Sequence, residues 1–427
     1  MPIAERAATV QKQIVAAVSA RRGDLVRMAQ RLIAAASPNP PGDVSAAAAV
    51  AHDLLATIEG IEIQRFETAP GIVNLVGLIR SGRSGRRLIF NGHLDTFPIG
   101  EDLGWTVPPL GGTVADGRLY GRGVSDMKGG IAASLIAASV LAANRNDWCG
   151  EIGVTLAGDE ETMGALGTLW LLKNVPEAKG DAMISGDAGS PAVVRFGEKG
   201  LVWIEIEAQG QPAHGAHVHK GINAIDRLLV ALAALKRLET LAVAAPVDVR
   251  DAIRAAAGIS EAISGCGESD TLQRVTVNIG TIKGGVSPNL VPSRASAAAD
   301  IRLPLGVTLD AVAAALHSEF DNLEGVSWRI IQQYPPSVTF PDHEIVRHTI
   351  DAGTTVLGRA PVANMRVGAS DARLYRMFAV PSVVFGCTPF GMGGPDEHVL
   401  IDELVAVAQV HALAALRFLT QPPDRQP

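Results

Sequence analysis

The sequence predicts an α/β protein: a doubly wound, mostly parallel sheet interrupted by a smaller α+β unit. Three observations carry that reading. Up to Asp187, short apolar runs alternate with helical patterns, the sign of parallel strands joined by crossover helices. Near residue 198 the pattern changes to apolar–polar alternation, as in GLVWIEIEAQG, which marks a sheet with one wet face. From about 337 the first style returns, so the middle segment is an insertion. The expected division is a main unit of residues 1–197 and 337–427 and an inserted unit of residues 198–336. At 427 residues the chain is too long for one ordinary core.

The elements follow in order. Residues 4–36 pattern as one or two amphipathic helices, closed by SPNPPGD. A helix over about 44–58 leads to a strand near 61–66. NLVGLI and RRLIFNGH are strands, the second almost wholly apolar, as a buried strand should be. GGTVADGRLYGRG is rich in turn residues, and Asp126 then opens a long apolar helix reaching about Ala143. EIGVTLAG is a strand, GALGTLWLLKN a helix and DAMISGD a strand. In the insertion, GLVWIEIEAQG, a helix at about 221–239, QRVTVNIGTIKGG, ASAAADIRLP, a helix at 308–320 and GVSWRIIQQ give a β-α-β-β-α-β order. Residues 241–270 are poorly patterned and read as surface loop with a short helix. The last stretch holds a helix at 343–357, the strand PSVVFGC and a helix at 402–419.

Composition narrows the function classes. Hydrophobic residues make up 47% of the chain, which is globular rather than disordered. A net charge of −7 offers no electrostatic case for nucleic acid or an anionic membrane. Cys149, Cys266 and Cys387 fit no zinc or redox spacing and read as thiols in a reducing compartment. The first residues lack the apolar core and cleavage site of a signal peptide, and no apolar run reaches the length of a membrane span. A cytoplasmic protein without membrane contact is the expectation.

Five metal-type ligands stand where an apolar strand ends or a helix begins. They are His93 in GHLD, Asp126 in GRGVSDMKGG, Glu161 in AGDEET, Asp187 in ISGDAG and His398 in GPDEHVLIDE. Each alone reads as a structural histidine, a solvated loop carboxylate or a helix cap. Together they fall at one predicted sheet edge, where open α/β sheets gather their ligands. Two imidazoles and three carboxylates suit two divalent ions, and the charges balance once a hydroxide is added. Oxygen and imidazole donors without thiolate favour Zn²⁺, with Mn²⁺ or Co²⁺ as alternatives. Such a pair of ions would acidify a shared water and polarise a carbonyl. Asp95, two residues past His93, can accept the imidazole's far N–H. Glu160 diverges from its neighbour Glu161 and is left as a general base.

The motifs GHLDTFP, GRGVSDMKGG, AGDEETMGALG and DEHVLIDE resemble the dinuclear-zinc M20 family of aminoacylases and amidohydrolases. That family includes acetylornithine deacetylase, succinyl-diaminopimelate desuccinylase and glutamate carboxypeptidase relatives. The resemblance spans about residues 25–420. It implies that Asp126 bridges two metals, that His93 and Asp187 complete one shell, and that Glu161 and His398 complete the other. It likewise implies Glu160 as general base and Asp95 as the histidine-orienting residue. The insertion would be a lid and dimerisation domain. His214 in QPAHGAHVHKGINAI would reach the partner subunit's site of a homodimer and bind the oxyanion. Asn289 in SPNLVP and Arg302 in ADIRLP would hold a substrate carboxylate, a task suited to a planar guanidinium. Gly368 and Ser370 in VGASDARLY would line the pocket.

The implied reaction is hydrolysis of an amide C–N bond in a small N-acyl amino acid or peptide-like substrate by a water shared between the metals. N-carbamoyl hydrolysis, deformylation or deamination of an aromatic amine are alternatives on the same site. Phe97, Val218 and PPL depart from the family pattern and leave the substrate open. His217 and His219 are extra imidazoles, read as structural or surface residues. A serine hydrolase lacks its G-x-S-x-G elbow here, and GRGVSD lacks the third glycine of a dinucleotide fingerprint. A non-catalytic relative should have lost the base or ligands, and this chain keeps both.

Overall fold

The computed structural model describes residues 3–100 and 104–420. Among these residues the main sheet has nine strands, mostly parallel at the centre. Arg87–His93 lies parallel to both Glu151–Ala157 and Ala182–Ser185, and Ser382–Val384 continues parallel beyond the latter. One edge is an antiparallel hairpin, Ile61–Ala69 with Ile72–Arg80, set against Glu151–Ala157. The other side holds Val193–Glu198, flanked by Val362–Arg366 in parallel and Ser337–Val338 antiparallel. These last three strands escaped the sequence reading. They are short, and their apolar residues are too few to set a period.

The central strands are buried end to end because helices cover both faces. Gly129–Ala143 and Ile401–Thr420 are the main covering helices, each apolar nearly all round. The segment Val124–Ala143 and the helix Ile401–Thr420 are long and apolar enough to cross a bilayer, but 83% and 78% of them is buried inside the fold. They are core helices by that measure.

The second sheet is wholly antiparallel, in the order Thr276–Gly284, Arg294–Leu303, Gly200–Gln209, Val326–Tyr334. Helices Ala224–Lys236 and Leu309–Phe320 pack on one face, and Arg294–Leu303 alternates buried and half-buried accordingly. This is the expected β-α-β-β-α-β order. At its root Gly200 passes so close to Tyr334–Pro336 that a Cβ there would sit 2.5 Å from the Pro336 nitrogen. Only glycine permits that approach of the two crossing chains.

Two expectations are corrected. Residues 241–270 are not mainly loop: Val247–Ser264 is one long helix followed by the short helix Glu268–Gln273. Val249, Ile253, Ala256 and Ser260 bury one face, and Val249 and Ile253 join the main core. Those four residues recur at helical spacing, so the period is present in the sequence, although only two of them are large and apolar. Asp126 does not open the apolar helix either. It sits in an irregular turn with extended φ and ψ of −133° and 89°, and the regular helix starts at Gly129.

Candidate metal centre

The strand Arg87–His93 delivers His93 to the carboxyl edge, fully buried. Its Nδ1 lies 2.9 Å from the Asp95 carbonyl oxygen, which fixes the proton there and leaves Nε2 as the outward-facing nitrogen. That nitrogen is 3.0 Å from Oδ1 of Asp126. The extended backbone at Asp126 aims the carboxylate at the imidazole instead of capping the following helix. Glu161 completes the group: the ligand atoms of His93, Asp126 and Glu161 all lie within 4.8 Å of one another.

Asp95 has a second task beside the histidine. Its carboxylate stands 3.5 Å from the imidazole Nδ1 and also takes hydrogen bonds from the backbone N–H groups of Glu160 (3.1 Å) and Glu161 (2.9 Å) and from the Asn39 amide (3.0 Å). It clamps the turn that carries both glutamates, while its carbonyl orients the histidine.

Asp187 ends its strand region almost fully buried, with Oδ1 lacking a hydrogen bond and 3.3 Å from Nη1 of Arg366. His398 is half-buried. Its Nδ1 lies 2.8 Å from the Asp396 carbonyl oxygen, the same arrangement as at His93, so Nε2 is again the nitrogen left for another partner. Phe390 stacks on its ring at 5.0 Å, and Tyr120 stands 4.8 Å away. Asp187 and His398 lie outside the three-residue convergence among the described residues.

A buried ion pair joins the loops of Asp126 and His398. Glu397 accepts from Arg122 at 2.6 Å and from both the N–H and hydroxyl of Ser125 at 3.0 and 2.8 Å. Sequence reasoning missed this pair, although the acid beside His398 and the arginine of GRG were its visible halves. It also missed Arg366 and Arg373. The Arg373 guanidinium lies 3.2 Å from Glu160.

The electrostatics fit bound cations. Burial pushes the Glu160 carboxyl up to about 8, and burial with the Asp126 charge pushes Glu161 up to about 10. Burial raises Asp187 to about 6 against the pull of Arg366. Burial opposes charging His93, yet hydrogen bonds to Asp126 and Asp95 outweigh it and raise the imidazole well above its ordinary range. Oε1 of Glu161 and Oδ1 of Asp187 are buried acceptors without donors. Crowded carboxylates with unfilled lone pairs are what divalent cations neutralise, so the residues fit the group.

The remaining candidates lie elsewhere. His214 and Asn289 meet on the inserted unit: Ala213–His214 pairs with Leu290–Val291, and the Gly215 N–H donates to the Asn289 carbonyl at 2.7 Å. Both side chains are exposed. Arg302 donates to Asp300 at 2.9 Å within the second sheet, with Nη1 buried and unpartnered. Gly368 stands half-buried near the Arg366 guanidinium. Ser370 is fully buried, and both its N–H and its hydroxyl donate to Glu198.

The family model for peptidase family M20/M25/M40 matches residues 89–417. The chain belongs to that family. It is thus a hydrolase acting on amide bonds, from a metal-dependent family. A succinyl-diaminopimelate desuccinylase of Methylobacterium radiotolerans is 31% identical over 407 residues, covering 92% of this chain and 94% of the relative. Human carnosine dipeptidase 1 superposes with a TM-score of 0.77 at 18% identity, covering 96% and 99% of the two chains. A dinuclear metal binding peptidase of the M20 family from Bacillus subtilis gives 0.65 at 15% identity, covering 94% and 99%. These structures share the fold.

Proposed function

We propose that this protein hydrolyses the amide C–N bond of a small, carboxylate-bearing N-acyl amino acid or dipeptide-like substrate, with Glu160 as general base. The carrying observation is the convergence of His93, Asp126 and Glu161 within 4.8 Å, with Glu160 buried beside them. Asp187 and His398 complete the ligand set in this reading, for two divalent cations, Zn²⁺ before Mn²⁺ or Co²⁺. When bound, these cations supply the Lewis acidity that acidifies water and polarises the acyl carbonyl. Glu160 takes the proton of the attacking water and passes it to the leaving nitrogen. Asp95 holds Glu160 and Glu161 in place through their backbone.

His214 serves the oxyanion. Its Nδ1 accepts the Ala216 N–H at 3.1 Å, so the proton of the neutral ring resides on Nε2, a donor for a developing negative charge. The inserted unit acts as lid and as the interface of a homodimer, which presents His214 and Asn289 to the partner's site. Arg302 and Asn289 hold the substrate carboxylate, while Gly368 and Ser370 shape the pocket wall. Three unpaired cysteines support a reducing, cytoplasmic setting.

A panel of N-succinyl, N-acetyl and dipeptide substrates, scored for the free amine, tests the reading. Turnover should vanish after exhaustive chelation and return with Zn²⁺, Mn²⁺ or Co²⁺. Glu160→Gln should lower kcat by about 100- to 10,000-fold while metal content holds. Activity that survives chelation removes the metal mechanism; a brisk Glu160→Gln removes the base.

A further inference from the structure

The turn after Glu160 is unusual. Met163 is a non-glycine residue with φ of +79°, in the left-handed region. A residue there persists only when its surroundings hold it. Its N–H donates to the Glu160 carbonyl at 2.7 Å. Its carbonyl receives two donors: Nη2 of Arg373 at 2.9 Å and the hydroxyl of Tyr334 at 3.0 Å. The same Arg373 places Nη1 at 3.2 Å from Oε1 of Glu160 and 2.6 Å from the Ser370 carbonyl. Its guanidinium also sits over the Tyr334 ring, 4.8 Å from the centroid. Tyr334 is the last residue of Val326–Tyr334, paired with Leu201 where the inserted sheet meets the main unit.

We propose that Arg373 and Tyr334 are positioning residues that fix the Glu160 carboxylate through the Met163 turn and tie its placement to the root of the inserted sheet. Neither supplies a ligand atom. Arg373 bridges three segments, the Glu160 turn, the glycine-rich loop at Ser370 and the strand end at Tyr334, each remote in sequence from the next. Its planar fork lets Nη1 serve Glu160 and Ser370 while Nη2 serves Met163. Tyr334 is the only one of these groups carried by the inserted sheet, so a shift of that sheet's root is felt at Met163 and from there at Glu160. The inference rests on the reading of Glu160 as base.

Kinetics on a substrate that the native protein cleaves decide it. Tyr334→Phe keeps the ring over Arg373 and removes one hydrogen bond to Met163. It should lower kcat about 3- to 10-fold, with KM within about twofold and metal content unchanged. Arg373→Met should lower kcat about 100-fold, and Arg373→Lys should recover part of that loss. The solvent deuterium isotope effect on kcat should rise in each, because a misplaced base slows the proton transfer. The double variant Glu160→Gln/Arg373→Met should be no slower than Glu160→Gln alone. A rise in KM at constant kcat, loss of metal from Tyr334→Phe, or full additivity in the double variant overturns the proposal. Should Arg373→Met fail to fold, native kcat in both Tyr334→Phe and Arg373→Lys overturns it equally. Near-native turnover by Glu160→Gln alone removes the base and the pair with it, whereas an inactive Glu160→Gln beside unaffected Tyr334 and Arg373 variants removes only the pair.

Discussion

Asp95 contributes no atom to the three-residue convergence, yet it holds two of the glutamates' N–H groups and lends its carbonyl to His93. Replacing it with alanine frees the Glu160–Glu161 turn and leaves those N–H groups without an acceptor. Metal affinity of Asp95→Ala should fall about 10- to 100-fold, read by competition with a chromophoric chelator. Unchanged affinity would mean that the backbone alone sets the turn. The ligand candidates were legible because each stands at a boundary between an apolar run and a turn. Arg373 and Arg122 were not, because their partners lie 213 and 275 residues away, and no local pattern encodes which distant acid a buried guanidinium will meet. Ser370 likewise has a distant partner that its motif does not encode: the buried carboxylate of Glu198 engages both its donors.

Elements were readable where burial imposes a period. The strands of the inserted sheet alternate because helices cover one face, and the central strands of the main sheet are apolar throughout because both faces are covered. Val247–Ser264 was harder to read because only part of its contact face is apolar: Val249 and Ile253 enter the main core, while Arg195 donates to Ser260 at 3.0 Å and Ser264 at 2.9 Å, and Asn364 donates to Ser260 at 2.9 Å. The helix Ile401–Thr420 carries a different constraint. His411 is wholly buried, its Nε2–H donating to the Phe385 carbonyl at 2.8 Å while Ser134 stands 3.1 Å from Nδ1. Burial lowers this imidazole from 6.5 to about 4. The unfolded chain therefore binds the extra proton first as pH falls. The stability this residue contributes is complete above about pH 6.5 and is lost on descending toward pH 4, by at most about 3 kcal/mol. Urea unfolding of the native protein and of His411→Gln, run side by side from pH 7 to 4.5, isolates the effect because the metal-site carboxylates titrate in both. The variant's stability should vary less with pH; parallel curves would mean that His411 takes its proton inside the fold.

At the scale of the whole molecule, the metal group and the His214–Asn289 pair sit on different units, and no hydrogen bond among the described residues links them within one chain. The tip that carries His214 also exposes Val218, Val286 and Leu290, an apolar surface open to solvent in the single chain. If His214 serves the partner's site in a two-fold dimer, each site draws Glu160 from one chain and His214 from the other. That division can be read by mixing two inactive proteins. His214→Ala lacks the oxyanion donor, and Glu160→Gln lacks the base. After dissociation and reassembly at equal amounts, half of the dimers are mixed, and each mixed dimer regenerates one intact site of its two. The mixture should recover about a quarter of native turnover, well above the mean of the two parents. Recovery no greater than that mean, with mixed dimers confirmed by native mass spectrometry, would put His214 to work in its own chain, and the inserted unit would then be a lid that closes on its own metal centre.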